Sequence, residues 1–109
     1  MRRRLLASVA AGMLALLASA QAASLDGITV ANELGAVLAA ERPCHLSYDT
    51  AAVEQYIATH VDEGDMGFSS MLQMMTEGQR YQMQSMTPAT MTAFCAQTAR
   101  VAKFNGFIR

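Results

Sequence analysis

The chain has 109 residues and is poor in cysteine, proline and lysine. Each shortage excludes something. There are only two cysteines, Cys44 and Cys95, with no Cys-x-x-Cys spacing, so no dithiol redox motif is present. The one long apolar run is short and Ala-rich beside the ~20 residues that a membrane span needs. Nothing alternates apolar and polar with period two for long enough to build a sheet. No Ser-His-Asp arrangement, paired-carboxylate site or phosphate-binding loop can be named, which argues against an enzyme. Tyr48, Tyr56 and Tyr81 are too scattered to form a stacking platform for nucleic acid. There is no internal repeat and no low-complexity segment.

What is present begins with an export signal. Met1-Arg2-Arg3-Arg4 is a basic opening, Leu5 to Ala18 is an apolar run, and Ala20-Gln21-Ala22 offers small residues where signal peptidase reads them. Cleavage is expected after Ala22, with Ala20 as the second choice, by the general secretory route. No cysteine follows either site to carry a lipid anchor. Residues 1–22 are therefore assigned to a signal peptide and residues 23–109 to a single periplasmic or secreted domain. Loss of Arg2, Arg3 and Arg4 leaves five basic residues against nine acids, a formal charge of −4. That balance disfavours nucleic acid and anionic membrane as partners. A domain of this size is near the limit at which an apolar core alone suffices, so a covalent staple would matter.

The expected fold is all-α, a small orthogonal or up-down bundle of about four helices. The first runs from Val30 to Glu41, with Thr29 or Asp26 as its cap. Its stripe is Val30, Leu34, Val37 and Leu38, its Gly35 allows a close neighbour, and Pro43 stops it. The second covers Thr50 to Val61 behind Ser47 or Asp49, with Val53, Tyr56, Ile57, His60 and Val61 at i, i+3, i+4, i+7, i+8. His60 lies on that stripe and is expected to be a satisfied core histidine. Asp62-Glu63-Gly64-Asp65 breaks the helix, with Gly64 suited to a left-handed cap. The third starts at Met66 behind Asp65, buries Phe68, Met71, Leu72 and Met75, and either ends at Gly78 or runs on to Met86. Thr87-Pro88 opens the fourth, which carries Met91, Phe94, Cys95, Thr98, Val101 and Ala102 on one face and ends near Asn105. Gly106 stops it, and Phe107 and Ile108 fold back.

In an exported chain, two cysteines read as one disulfide, Cys44 to Cys95. It would set Cys44, at the mouth of the second helix, against the fourth. Closing a loop of this size is worth about 4 kcal/mol. Among the methionines, Met71 and Met75 fall on the core stripe, whereas Met74, Met83 and Met86 fall off it. Those three are the candidate partner-binding residues, since methionine makes adaptable surfaces; their alternative role is to bind a soft ion such as Cu(I). The acids Asp62, Glu63 and Asp65 lack the pattern of a calcium loop and read as a solvated connection. No cofactor is expected.

Asn32-Glu33-Leu34-Gly35, Cys44, the second-helix stripe, Met66-Gly67-Phe68, Cys95 and Gly106-Phe107-Ile108 resemble a set of small secreted proteins of Gram-negative bacteria. That resemblance implies compartment and helical fold but no mechanism. The layout of a short exported helical chain with one disulfide, together with Gly67-Phe68-x-x-x-Leu72, is also similar to periplasmic acid-stress chaperones of the HdeA type. The present chain departs from that type in its few lysines, its many methionines and its lack of a lysine-rich tail. The expected function is a non-enzymatic protein- or peptide-binding module, chaperone-like in one version and able to pair as a homodimer. For the chaperone-like version, acid that neutralises nine carboxylates and charges two histidines would take the formal charge from −4 to about +7.

Overall fold

The computed structural model describes residues 26–109, so the expected signal segment, residues 1–22, lies outside the described residues. Helices occupy residues 26–39 (α1), Thr50–His60 (α2), Phe68–Met83 (α3) and Pro88–Phe104 (α4), and there is no strand among the described residues. None of these helices is long and apolar enough to cross a membrane. The all-α expectation with about four helices and one disulfide therefore holds.

Each boundary has a local cause. Asp26 and Thr29, the expected caps of the first helix, lie inside α1, which ends at Ala39 rather than Glu41. Pro43 is the reason for the early end: it has no N–H to give to the Ala39 carbonyl four residues back, and its ring would clash there. The chain tightens first, with the Ala40 N–H on the Val37 carbonyl at 3.2 Å and the Glu41 N–H on Leu38 at 3.3 Å. It then closes through Leu46 N–H to Glu41 O at 2.8 Å and His45 N–H to Arg42 O at 3.1 Å, with His45 at φ 57°. This is the bonding pattern of a Schellman stop, with histidine at the position glycine usually takes.

Asp49, not Ser47, caps α2, its Oδ1 accepting from the Ala51 N–H at 3.0 Å and the Ala52 N–H at 3.4 Å. Val61 ends the helix in extended conformation, and Gly64 is not left-handed as expected. α3 starts at Phe68, two residues later than expected, because the Asp65 carboxylate turns the chain by accepting from the Gly67 N–H at 3.2 Å. It continues through Gly78 for 16 residues, the longer of the two expected courses. Thr87 caps α4 through the Thr90 N–H, with Pro88 in the first turn. At the far end Gly106 takes φ 79°, Phe107 donates to the Ala102 carbonyl at 2.8 Å and Gly106 to Lys103 at 3.1 Å. That Schellman motif folds Phe107 back, as expected, into complete burial.

Two apolar clusters result. The larger gathers Ala31, Leu34, Val37, Tyr48, Phe68, Ala102 and Phe107, with half-buried side chains of α2 and α3 packed around it. The Phe107 carbonyl accepts from the Asp49 N–H at 2.8 Å, and the Phe107 ring meets Tyr56 edge-on at 5.5 Å, so the end of α4 seats the start and middle of α2. α2 itself contains no fully buried residue. The smaller cluster is Ala39, Ala40 and Met83, enclosed by Cys44, Met86, Met91 and Phe94. α1 and α3 approach so closely at Gly35 that a Cβ there would lie 3.0 Å from the Met75 Cβ and 3.1 Å from the Thr76 amide nitrogen. A side chain there would be tighter than ordinary contact and would press on the α3 backbone.

Candidate partner-binding groove

The smaller cluster brings three separate pieces of chain to one place. The disulfide joins Cys44 and Cys95 with their Cα atoms 5.3 Å apart, a separation a bridge spans without strain on the backbone. Cys44 belongs to the turn that closes α1, its N–H bonded to the Ala40 carbonyl at 2.9 Å, and is six residues short of α2. The bond therefore clamps the end of α1 to α4, which corrects the expected placement at the mouth of the second helix. The third piece is the last turn of α3. The connection from α3 to α4 is only residues 84–87, and the Ser85 and Met86 amides fold it back onto the Gln82 and Met83 carbonyls, each at 3.2 Å.

Between these pieces lies a groove of about 420 Å³ lined by Arg42, Pro43, Arg80, Met83, Gln84 and Met91. Met83, 3% exposed, forms its floor and Met91 one half-buried wall. Pro43 and Gln84 are exposed at the edge, and so are the two arginines. Both walls are pinned by the clamp, since Pro43 adjoins Cys44 and Met91 is one helical turn before Cys95. No histidine, carboxylate or thiol lines the groove. Thioethers can adjust their shape to an apolar side chain, and guanidinium groups offer forked donors.

The expected site residues divide. Met83, expected off the core, is a core residue, and Met86 is half-buried against it. Met74 is 58% exposed and elsewhere on the surface. Because α3 runs unbroken through Gly78, the nine residues from Met74 to Met83 make two and a half turns and set the two on opposite faces. His60 is exposed, not in the core; its Nδ1 lies 2.8 Å from the Tyr56 carbonyl and its ring stacks on Tyr56 at 4.0 Å. Of the stripe, His60 alone is exposed, while Val53, Tyr56, Ile57 and Val61 are half-buried against the larger cluster.

A second cavity, of about 360 Å³, lies between Gly27, Ile28, Asp62, Asp65, Gly67, Phe68 and Met71. Its carboxylates already serve the loop: Asp62 Oδ1 accepts from the Gly64 N–H at 3.0 Å and Asp65 Oδ1 from Gly67. Among the described residues, no three His, Cys, Asp or Glu side chains gather as a metal site.

Sequence reasoning missed Tyr48 and the two arginines. Tyr48 is buried; its hydroxyl donates to the Val37 carbonyl at 2.7 Å and its N–H to Glu41 Oε2 at 2.8 Å. Burial, and next the Glu41 charge, push its phenol from 10.0 up to about 12. A tyrosine just ahead of a helix cap carries no periodicity that would have marked it. Arg42 and Arg80 are 38 positions apart, and nothing in one dimension joins them. Compared with protein-family models, with curated proteins and with solved structures, the chain matches none.

Proposed function

We propose that this protein is a non-enzymatic, disulfide-clamped helical module, acting in the periplasm or outside the cell, that binds a peptide or an extended segment of a protein in the Met83–Met91 groove. The observation that carries this reading is the groove itself, with its methionine floor, its open rim and a lining that holds no nucleophile or general base. The disulfide supports the compartment, since such bonds persist where thiols are oxidised.

The test is a selection of displayed random peptides on the oxidised protein, followed by NMR of the methionine methyl groups. Enriched peptides are expected to shift the Met83 and Met91 signals and to leave those of Met66 and Met74 in place. No enrichment, or shifts confined to Met66 and Met74, would refute the groove.

A chaperone-like version is favoured by one further observation. α2 has no buried residue, so its release would uncover Leu34, Val37 and Phe107 at modest cost. In that version, the protein suppresses light scattering by an acid-sensitive client at pH 2–3; unsuppressed aggregation removes it.

A further inference from the structure

The groove's lining carries charge of one sign only. Of the five basic residues beyond the signal segment, Arg42 and Arg80 line the same 420 Å³ groove, in a domain where acids outnumber bases. No acid lines it, and the two nearest in sequence are turned to other work. Glu41 Oε2 accepts from the Tyr48 N–H at 2.8 Å, and Glu77 Oε1 accepts from Gln73 Nε2 at 3.4 Å, one turn back along α3. The positive rim is therefore not filled by the groove's own neighbours. The domain as a whole carries a formal charge of −4, so this pair of arginines is the local exception to which an acidic ligand is drawn.

We infer that the occupant is an acidic amphipathic segment of another protein, with an apolar side chain seated on Met83 and Met91 and a carboxylate within reach of Arg42 and Arg80. This rests on the groove reading above and adds the chemical class of the partner. A guanidinium binds a carboxylate through two parallel N–H donors, and the two arginines approach from different elements, one from the turn after α1 and one from the last turns of α3. A carboxylate one helical turn from an apolar anchor would satisfy both the floor and the rim. The disulfide fixes the spacing, because it holds the turn that carries Arg42 against α4, where Met91 sits.

The experiment compares peptide selections on three proteins: the unaltered oxidised chain, Arg42→Glu/Arg80→Glu, and Arg100→Glu/Lys103→Glu as a control for overall charge. All four substituted residues are exposed, and circular dichroism checks that the fold is kept. The unaltered chain and the control are expected to enrich peptides with Asp or Glu three or four residues from Leu, Met or Phe, and the charge-reversed protein to enrich Lys or Arg instead. Replacing the carboxylate of a selected peptide by its amide should weaken binding at least about tenfold, the usual loss for a charged hydrogen bond. Peptides that enrich without acids, or whose amide forms bind equally well, overturn this inference and leave the groove standing. If no peptide enriches on the unaltered chain, the groove reading falls and the inference with it.

Discussion

Tyr48 shows how much one side chain can organise here. Its hydroxyl reaches back to the Val37 carbonyl, its N–H holds Glu41, and its ring lies 6.0 Å from that of Phe107. It thereby fastens the loop after α1 to α1 and to the folded-back end of the chain. Tyr48→Phe is expected to lower unfolding stability by about 1 kcal/mol, the typical net worth of one such bond, read from a urea melt. The ionisation follows the same geometry. The native phenol releases its proton only near 12 against 10.0 in the unfolded chain, so the folded state holds the proton more tightly. Its contribution is complete below pH 10 and is lost as pH rises from about 10 to about 12. Urea melts across that range should show the unaltered protein losing more stability than Tyr48→Phe. Equal losses would mean that the buried phenol is not the group responsible.

Gly35 of α1 and Gly78 of α3 illustrate how a helix is read differently by itself and by its neighbour. Gly35 and Gly78 look alike in sequence, each a weak point inside a helical stretch. In the fold they have opposite meanings. Gly35 faces the α3 backbone, and a methyl group there would be forced to within 3.0–3.2 Å of Met75 and Thr76. Nothing lies within 4 Å of a Cβ built at Gly78. Gly35→Ala should therefore cost about 1–3 kcal/mol through overpacking, whereas Gly78→Ala should add up to about 1 kcal/mol through helix propensity. Thermal melts of the pair, with the disulfide intact, decide it. A stabilised Gly35→Ala would show that α1 and α3 do not cross as closely as described. The continuity of α3 through Gly78 also decided the fate of the methionines, because a break there would have freed Met83 from its phase relative to Met74.

For the domain as one unit, the disulfide adds a covalent constraint to the two apolar clusters. It spans 51 positions, and opening a loop of that length should lower stability by about 4 kcal/mol. That is a large share of the 5–15 kcal/mol usual for a domain. Cys44→Ser/Cys95→Ser should show this loss in a denaturant titration. It should also weaken peptide capture under conditions where the helices persist, since the turn carrying Arg42 and Pro43 is then held to α4 only by packing. Unchanged binding by the folded double variant would show that the groove does not depend on the clamp.

Much of this was legible along the chain. The helical class, the Thr87-Pro88 start, the Gly106 stop with Phe107 folded behind it, and the pairing of Cys44 with Cys95 follow from local backbone chemistry and from there being just two cysteines. Such signals act over one or two turns, where the sequence alone states which groups meet. The early end of α1 has an equally local cause, Pro43 acting on Ala39 four residues back, yet the end expected from the sequence was Glu41. What was not legible depends on segments that are distant in sequence. Whether His60 faces the core is not set by its place on the stripe, since Ile57 and Val61 of the same stripe do pack on the larger cluster and His60 does not. Whether Met83 is surface or floor depends on α3 staying helical through Gly78 and on two alanines, Ala39 and Ala40, leaving room for it. The groove needs Arg42, Arg80 and Met91 from three elements, and packing, not periodicity, brings them together. The pairing of the two cysteines is thus recognisable from the sequence, whereas the surface the clamp shapes exists only once the helices have packed.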